Sequence, residues 1–183
     1  MTARGVNPTA ASLLGFLHWG PMSGWDVVRV AEQTIGDFWS LTPSQVYREL
    51  SSLADAGLVT AGERGSRDRR LFTISGAGRT AFDAWVGQEP AAETIRFPLL
   101  LTLLFGARVP QARRAVFLES HRARHAATLA RYREQRSAAQ AALDAGQAGD
   151  AFAMATLDFG MRYETAVLEW FDALPPEVRG AGG

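Results

Sequence analysis

The sequence predicts a mainly α-helical protein. An N-terminal winged helix-turn-helix with a two-stranded β wing is followed by an all-helical C-terminal part. Three observations lead there. Three short helices with their own start and stop signals fill residues 7–57. Two β-prone runs then flank a charged, glycine-bearing tip between residues 58 and 74. Beyond residue 93 the strand signal disappears, and helical spacing continues to Leu174. The expected division is a winged helix-turn-helix over residues 1–87 and a helical dimerisation and effector part over residues 93–178. The linker is Gln88-Glu-Pro90-Ala-Ala.

Each element has a local reason. Asn7-Pro8 reads as an N-cap with proline at the first helical position, and Ala10, Leu13, Leu14 and Leu17 follow at helical spacing. Gly20-Pro21 ends that helix. Ser23 caps a second helix with Asp26 in its first turn. Val27, Val28, Ala31 and Ile35 are its inner positions, and Gly36 stops it. Thr42-Pro43-Ser44-Gln45 opens a third helix, with Thr42 and Gln45 forming a capping box. Val46, Leu50 and Leu53 make its inner stripe, and Gly57 its C-terminal stop. Leu58–Ala61 and Leu71–Ile74 read as the two strands around the tip Gly62–Arg70. Ser75-Gly-Ala-Gly78 breaks the second strand, and a fourth helix runs to about Val86. The C-terminal part reads as an apolar helix near Ile95–Phe105, a long Arg-rich helix from Pro110 to about Leu143, and an acidic aromatic helix from Asp150 to Leu174.

Composition narrows the function. Hydrophobic residues make up 47% and charged residues 21%, values that exclude disorder over most of the 183-residue chain. With no cysteine, disulfides, thiolate metal sites and thiol nucleophiles are excluded. All 19 basic residues are arginine, so lysine chemistry is excluded too. Basic and acidic residues balance, and net charge does not point to nucleic acid; that case rests on local pattern. Residues 1–8 read as no targeting segment. The longest apolar run, Phe97–Phe105, is too short for the roughly 20 residues of a membrane span. The expectation is a cytoplasmic protein that is not an enzyme and has no cofactor, metal or membrane partner. His121 and His125 stand four apart on one helix without an HExxH pattern, and His18 reads as structural.

The third helix and the tip carry the chemistry. On a helical wheel Ser44, Arg48, Ser51 and Asp55 lie opposite the apolar stripe, with Gln45 and Ser52 flanking. Ser, Gln and Arg on an outward face suit a major groove, where Arg pairs bidentately with guanine. The free amides at Thr42–Gln45 suit a phosphate. The tip holds Arg64, Arg67, Arg69 and Arg70 against Glu63 and Asp68, net +2 in nine residues. A basic hairpin beside a groove-reading helix fits phosphate or minor-groove contact.

Three stretches resemble the PadR family of bacterial transcriptional regulators: Met22-Ser-Gly24-Trp25-Asp-Val-Val, Pro43-Ser-Gln-Val-Tyr47-Arg48-Glu-Leu50-Ser-Ser-Leu53-Ala-Asp-Ala-Gly57-Leu58-Val59, and Arg69-Arg70-Leu-Phe72-Thr-Ile-Ser75-Gly-Ala-Gly78-Arg79. The middle stretch keeps every spacing of the family's Tyr-x-x-Leu-x-x-Leu-x-x-x-Gly-Leu-Val pattern. The chain departs from the family where Trp25 and Phe72 replace Tyr and Ser75 replaces Thr. The resemblance implies a homodimer that binds double-stranded DNA at a pseudo-palindromic operator, usually as a repressor, and is often released by a small-molecule effector. It places Ser44, Gln45, Tyr47 and Arg48 toward the operator and the arginines near residue 67 in the wing contacts. The competing reading is a winged-helix interaction module that dimerises without binding DNA.

In the second half, residues 105–140 carry net charge +6 and residues 144–178 net charge −6. Equal and opposite charge favours mutual or partner pairing over nucleic acid. The last helix has two apolar lines. One holds Phe152, Ala155, Phe159, Tyr163, Ala166, Trp170 and Leu174; the other holds Leu157, Met161 and Leu168. A helix apolar on two sides is buried on two sides. Leu157, Met161, Leu168 and Phe171 are therefore expected at the dimer interface. Trp85, Phe97, Phe105, Phe159, Tyr163 and Trp170 are the candidate lining of an effector pocket.

Overall fold

The computed structural model describes residues 6–65 and 69–179. It falls into two units, residues 1–93 and 94–183.

The N-terminal unit begins with α1 (Pro8–Leu17), capped by the Asn7 side chain, whose Oδ1 accepts from the Ala10 amide at 2.9 Å. A two-residue strand β1 (Met22–Ser23) leads into α2 (Gly24–Thr34). After α3 (Pro43–Asp55) come β2 (Val59–Arg64), β3 (Arg70–Ile74) and α4 (Gly76–Val86). Ser23 and Thr42 each close a capping box, with Asp26 and Gln45. At the end of α3, Gly57 takes φ +71, and the Leu58 amide reaches back to the Leu53 carbonyl. That left-handed turn lets the chain leave the helix directly into a strand.

The sheet has three strands in the order β1-β3-β2, all antiparallel. The sequence predicts two of them. The third strand is two residues long, too short for any periodicity, and exists because Met22 pairs with Phe72 and Ser23 with Leu71. The long pair is also longer than expected. A bulge follows Ala61↔Phe72, and pairing resumes at Arg64↔Arg70. Val27, Val46, Leu50, Leu53, Val59, Phe72 and Ile74 join Leu13, Leu14 and Leu17 in one core.

The C-terminal unit contains α5 (Pro98–Leu104), a 3-10 turn (Gly106–Arg108), α6 (Gln111–Asp144), α7 (Ala151–Asp172) and the short α8 (Pro176–Arg179). The helices α6 and α7 form a hairpin around Gly146, at φ +81. They approach closely at Gly160: a Cβ there would meet Cε2 of Tyr132 at 2.7 Å. Leu99, Leu118, Phe171 and Leu174 form this unit's core.

Candidate nucleic-acid interface

Helix α3 buries Val46, Leu50 and Leu53 and turns Thr42, Ser44, Arg48, Ser51, Ser52 and Asp55 to solvent. Its capping box consumes part of the polar surface. The Gln45 Oε1 accepts from the Thr42 amide at 3.1 Å and from the Thr42 hydroxyl at 2.9 Å. Gln45 is half-buried, so its carbonyl serves the helix start. Tyr47 is 52% exposed, and its ring rests on Gly24 at the start of α2.

The arginines at the base of the hairpin diverge. Arg69 reaches α2, with its Nη2 donating to Asp26 Oδ2 at 2.7 Å. Arg70 turns the other way: its Nε donates to the Gly62 carbonyl at 3.0 Å, and its guanidinium stands 5.9 Å from the Phe72 ring centre. Successive residues of an extended strand point to opposite sides, which separates the two charges. Arg70 shares a groove of about 380 Å³ with Ser51 and Asp55 of α3 and Thr60 of β2. Arg64 ends β2 and pairs in register with Arg70. Arg67 lies outside the described residues.

In sequence Asp26 reads only as an acidic residue in the first turn of the Ser23-capped helix. Its carboxylate also accepts from the Ser23 hydroxyl at 2.6 Å and the Ser23 amide at 2.9 Å. Burial opposes its ionisation, but the Ser23 hydroxyl, the Arg69 guanidinium and the Ser23 amide outweigh that and hold its pKa at about 2. No sequence signal connects Asp26 to a residue 43 positions away. On α2 the Arg29 guanidinium stands over the Trp25 ring, 4.7 Å from its centre.

In the C-terminal unit, Leu157, Met161 and Leu168 are half-buried and Phe171 is 3% exposed. They share one side of α7 with Gly160 and Glu164, the residues that meet Tyr132 and His125 of α6. Gly160 and Glu164 turn this side of α7 toward α6. The exposed line is Phe152, Ala155, Phe159 and Ala166, with Phe152 86% exposed.

Of the six aromatics expected around an effector, Phe97 and Trp170 pack on the core of the C-terminal unit. Trp85 belongs to the N-terminal unit and stacks on Phe82. Phe97 stacks on His125, Phe159 on Tyr163, and Trp170 meets Phe171 edge-on, while Phe105 is exposed. A cavity of about 250 Å³ in this unit is lined instead by Ala115, Leu118, Glu119, Arg122, Phe171, Leu174 and Arg179. His125 Nδ1 lies 2.6 Å from Oε2 of the buried Glu164. Burial, Arg124 and His125 lower the pKa of His121. Among the described residues no group of three His, Asp or Glu could hold a metal, and no helix is long and apolar enough to cross a membrane.

The pattern of the PadR-like transcriptional regulator family matches residues 13–84, and that of the virulence activator alpha C-terminal family matches residues 95–175. The negative transcriptional regulator PadR of Bacillus subtilis is 30% identical over 98 residues, covering 51% of this chain and 54% of that protein. The chain spans about half the length, or less, of the curated relatives it matches. The crystal structure of Bacillus subtilis PadR in complex with operator DNA superposes with a TM-score of 0.74 at 21% identity, over 91% of this chain and 96% of that one. The Vibrio cholerae virulence activator AphA superposes with a TM-score of 0.67 at 26% identity, over 93% and 95%. This chain thus carries a PadR-like winged domain with the α3 pattern intact, followed by a helical domain of the virulence activator alpha C-terminal type.

Proposed function

We propose that this chain is a DNA-binding transcriptional regulator of the bacterial cytoplasm, a homodimeric repressor whose operator binding responds to a small molecule. One observation carries the DNA reading. Ser44, Arg48 and Ser51 stand exposed on α3, and Ser51 lines a groove together with Arg70 of the hairpin. A helix face that reads base edges needs a cationic element beside it to fix its register on phosphates. The operator DNA held by the superposable Bacillus subtilis PadR supports the same use here.

Dimerisation is supported by the exposed apolar line Phe152, Ala155, Phe159 and Ala166 on α7. A two-fold dimer that reads two half-sites one DNA turn apart needs its recognition helices about 34–36 Å apart. The effector reading is supported by the cavity beside Arg122, where an apolar floor of Leu118, Phe171 and Leu174 meets a guanidinium.

The test is a mobility shift with the DNA upstream of the chain's own coding sequence. The expected result is one discrete complex on a duplex containing an inverted repeat, lost when either half is scrambled. No complex at low salt on any upstream duplex overturns the reading.

A further inference from the structure

We infer that Asp26 is a positioning residue for DNA binding: from α2 it holds the Arg69 guanidinium of the wing in place to meet the duplex. The inference rests on the DNA reading above and assigns a division of labour within it.

The pair is asymmetric. Asp26 is the fixed end, gripped by the Ser23 hydroxyl and amide on the same Oδ2 that accepts from Arg69. Arg69 is the free end: its side chain is 61% exposed against 24% for Asp26. A guanidinium carries five N–H donors, and among the described residues only the Nη2 end is engaged. The remaining edge faces solvent with its rotamers already restricted, so less conformational freedom is lost when an anion binds. The carboxyl titrates at about 2, so the pair is ionic at any ordinary pH.

Its position also fits. The first turn of α2 lies between two proposed contact elements. On one side Tyr47 of α3 rests on Gly24, and on the other Arg69 of the hairpin reaches Asp26. The ion pair therefore ties the hairpin to the element that carries the edge of the recognition helix.

Simple electrostatics makes the opposite forecast. A carboxylate near a duplex repels phosphates, so its removal should tighten binding. Asp26→Asn keeps an oxygen for the Ser23 amide and deletes the charge. The probes are a labelled 30-base-pair duplex from upstream of the chain's own coding sequence and one of random sequence, read by fluorescence anisotropy across a salt series. The expected result is roughly fivefold weaker binding by Asp26→Asn, although the protein becomes more positive. Arg69→Gln should weaken binding and flatten the slope of log K against log salt by about 1. In the Arg69→Gln background, Asp26→Asn should cause no further loss. A purely structural role for Asp26 predicts the same loss in both backgrounds, and that result overturns the inference. So does tighter binding by Asp26→Asn. If the unsubstituted chain binds neither duplex, the DNA reading falls and takes this inference with it; if it binds and the Asp26 effects do not depend on Arg69, this inference alone falls.

Discussion

The ring of Tyr47 covers Gly24 so closely that a Cβ on Gly24 would stand 2.6 Å from Cε1 of the ring. The glycine at the start of α2 and the tyrosine of α3 are thus one feature, written in two separate stretches of sequence. Gly24→Ala should push the ring outward and destabilise the N-terminal unit by about 1–3 kcal/mol, the usual cost of overpacking. Urea unfolding measures it. Combined with Tyr47→Ala, the substitution should lose most of its effect, because the ring it strikes is gone.

Gly78 and Gly76 of α4 predict opposite outcomes. A Cβ on Gly78 would collide with the Leu58 carbonyl oxygen, which itself accepts from the Ser75 amide. Backbone cannot swing aside as a side-chain tip can, so Gly78→Ala should cost about 3 kcal/mol. Gly76 has open space around the same atom. Gly76→Ala should be neutral or stabilising by about 0.4–1 kcal/mol, through a less flexible unfolded chain. Thermal melts of the two variants should move in different directions.

Arg48→Ala should weaken specific binding by about 1–3 kcal/mol if the guanidinium reads a base. The loss should be larger on the chain's own upstream DNA than on random sequence. Equal loss on both makes Arg48 a phosphate contact. Unchanged affinity removes it from the interface.

Acid stability should report Asp26. Its native pKa of about 2 lies below the ordinary 3.8, so the folded state binds its proton less readily than the unfolded state does. The stabilisation is present above about pH 4 and is lost as the pH falls through about 2. Asp26→Asn should flatten the stability-versus-pH curve in that window and leave its shape near neutrality unchanged. An identical acid limb in both proteins contradicts the assignment.

Glu164 lies 4% exposed with its carboxylate 2.6 Å from His125 Nδ1. His125→Ala removes a hydrogen-bond partner from the buried Glu164 side chain and should destabilise the C-terminal unit by about 1–3 kcal/mol. Glu164→Gln keeps a hydrogen-bonding pair and should cost less. Separate unfolding of residues 94–183, followed by Trp170 emission against a Trp170→Phe control, distinguishes the two variants.

What the sequence determined by itself was local. Asn7, Ser23 and Thr42 cap their helices where the residue types require it, since a cap is a bond between neighbours three residues apart. The α3 stripe and its polar face follow from a 3.6-residue period, and Gly57 from the need for positive φ. Tertiary structure alone decided the rest. The strand Met22–Ser23 exists because β3 offers it a partner. Arg69 meets Asp26 and Arg70 meets Gly62 because the hairpin lies beside α2 and its strands alternate sides. On α7 two apolar lines were visible in advance, but which one stays within the chain depends on where α6 lies. Periodicity gives the faces of a helix, and the neighbour that covers each face is set only when distant segments pack.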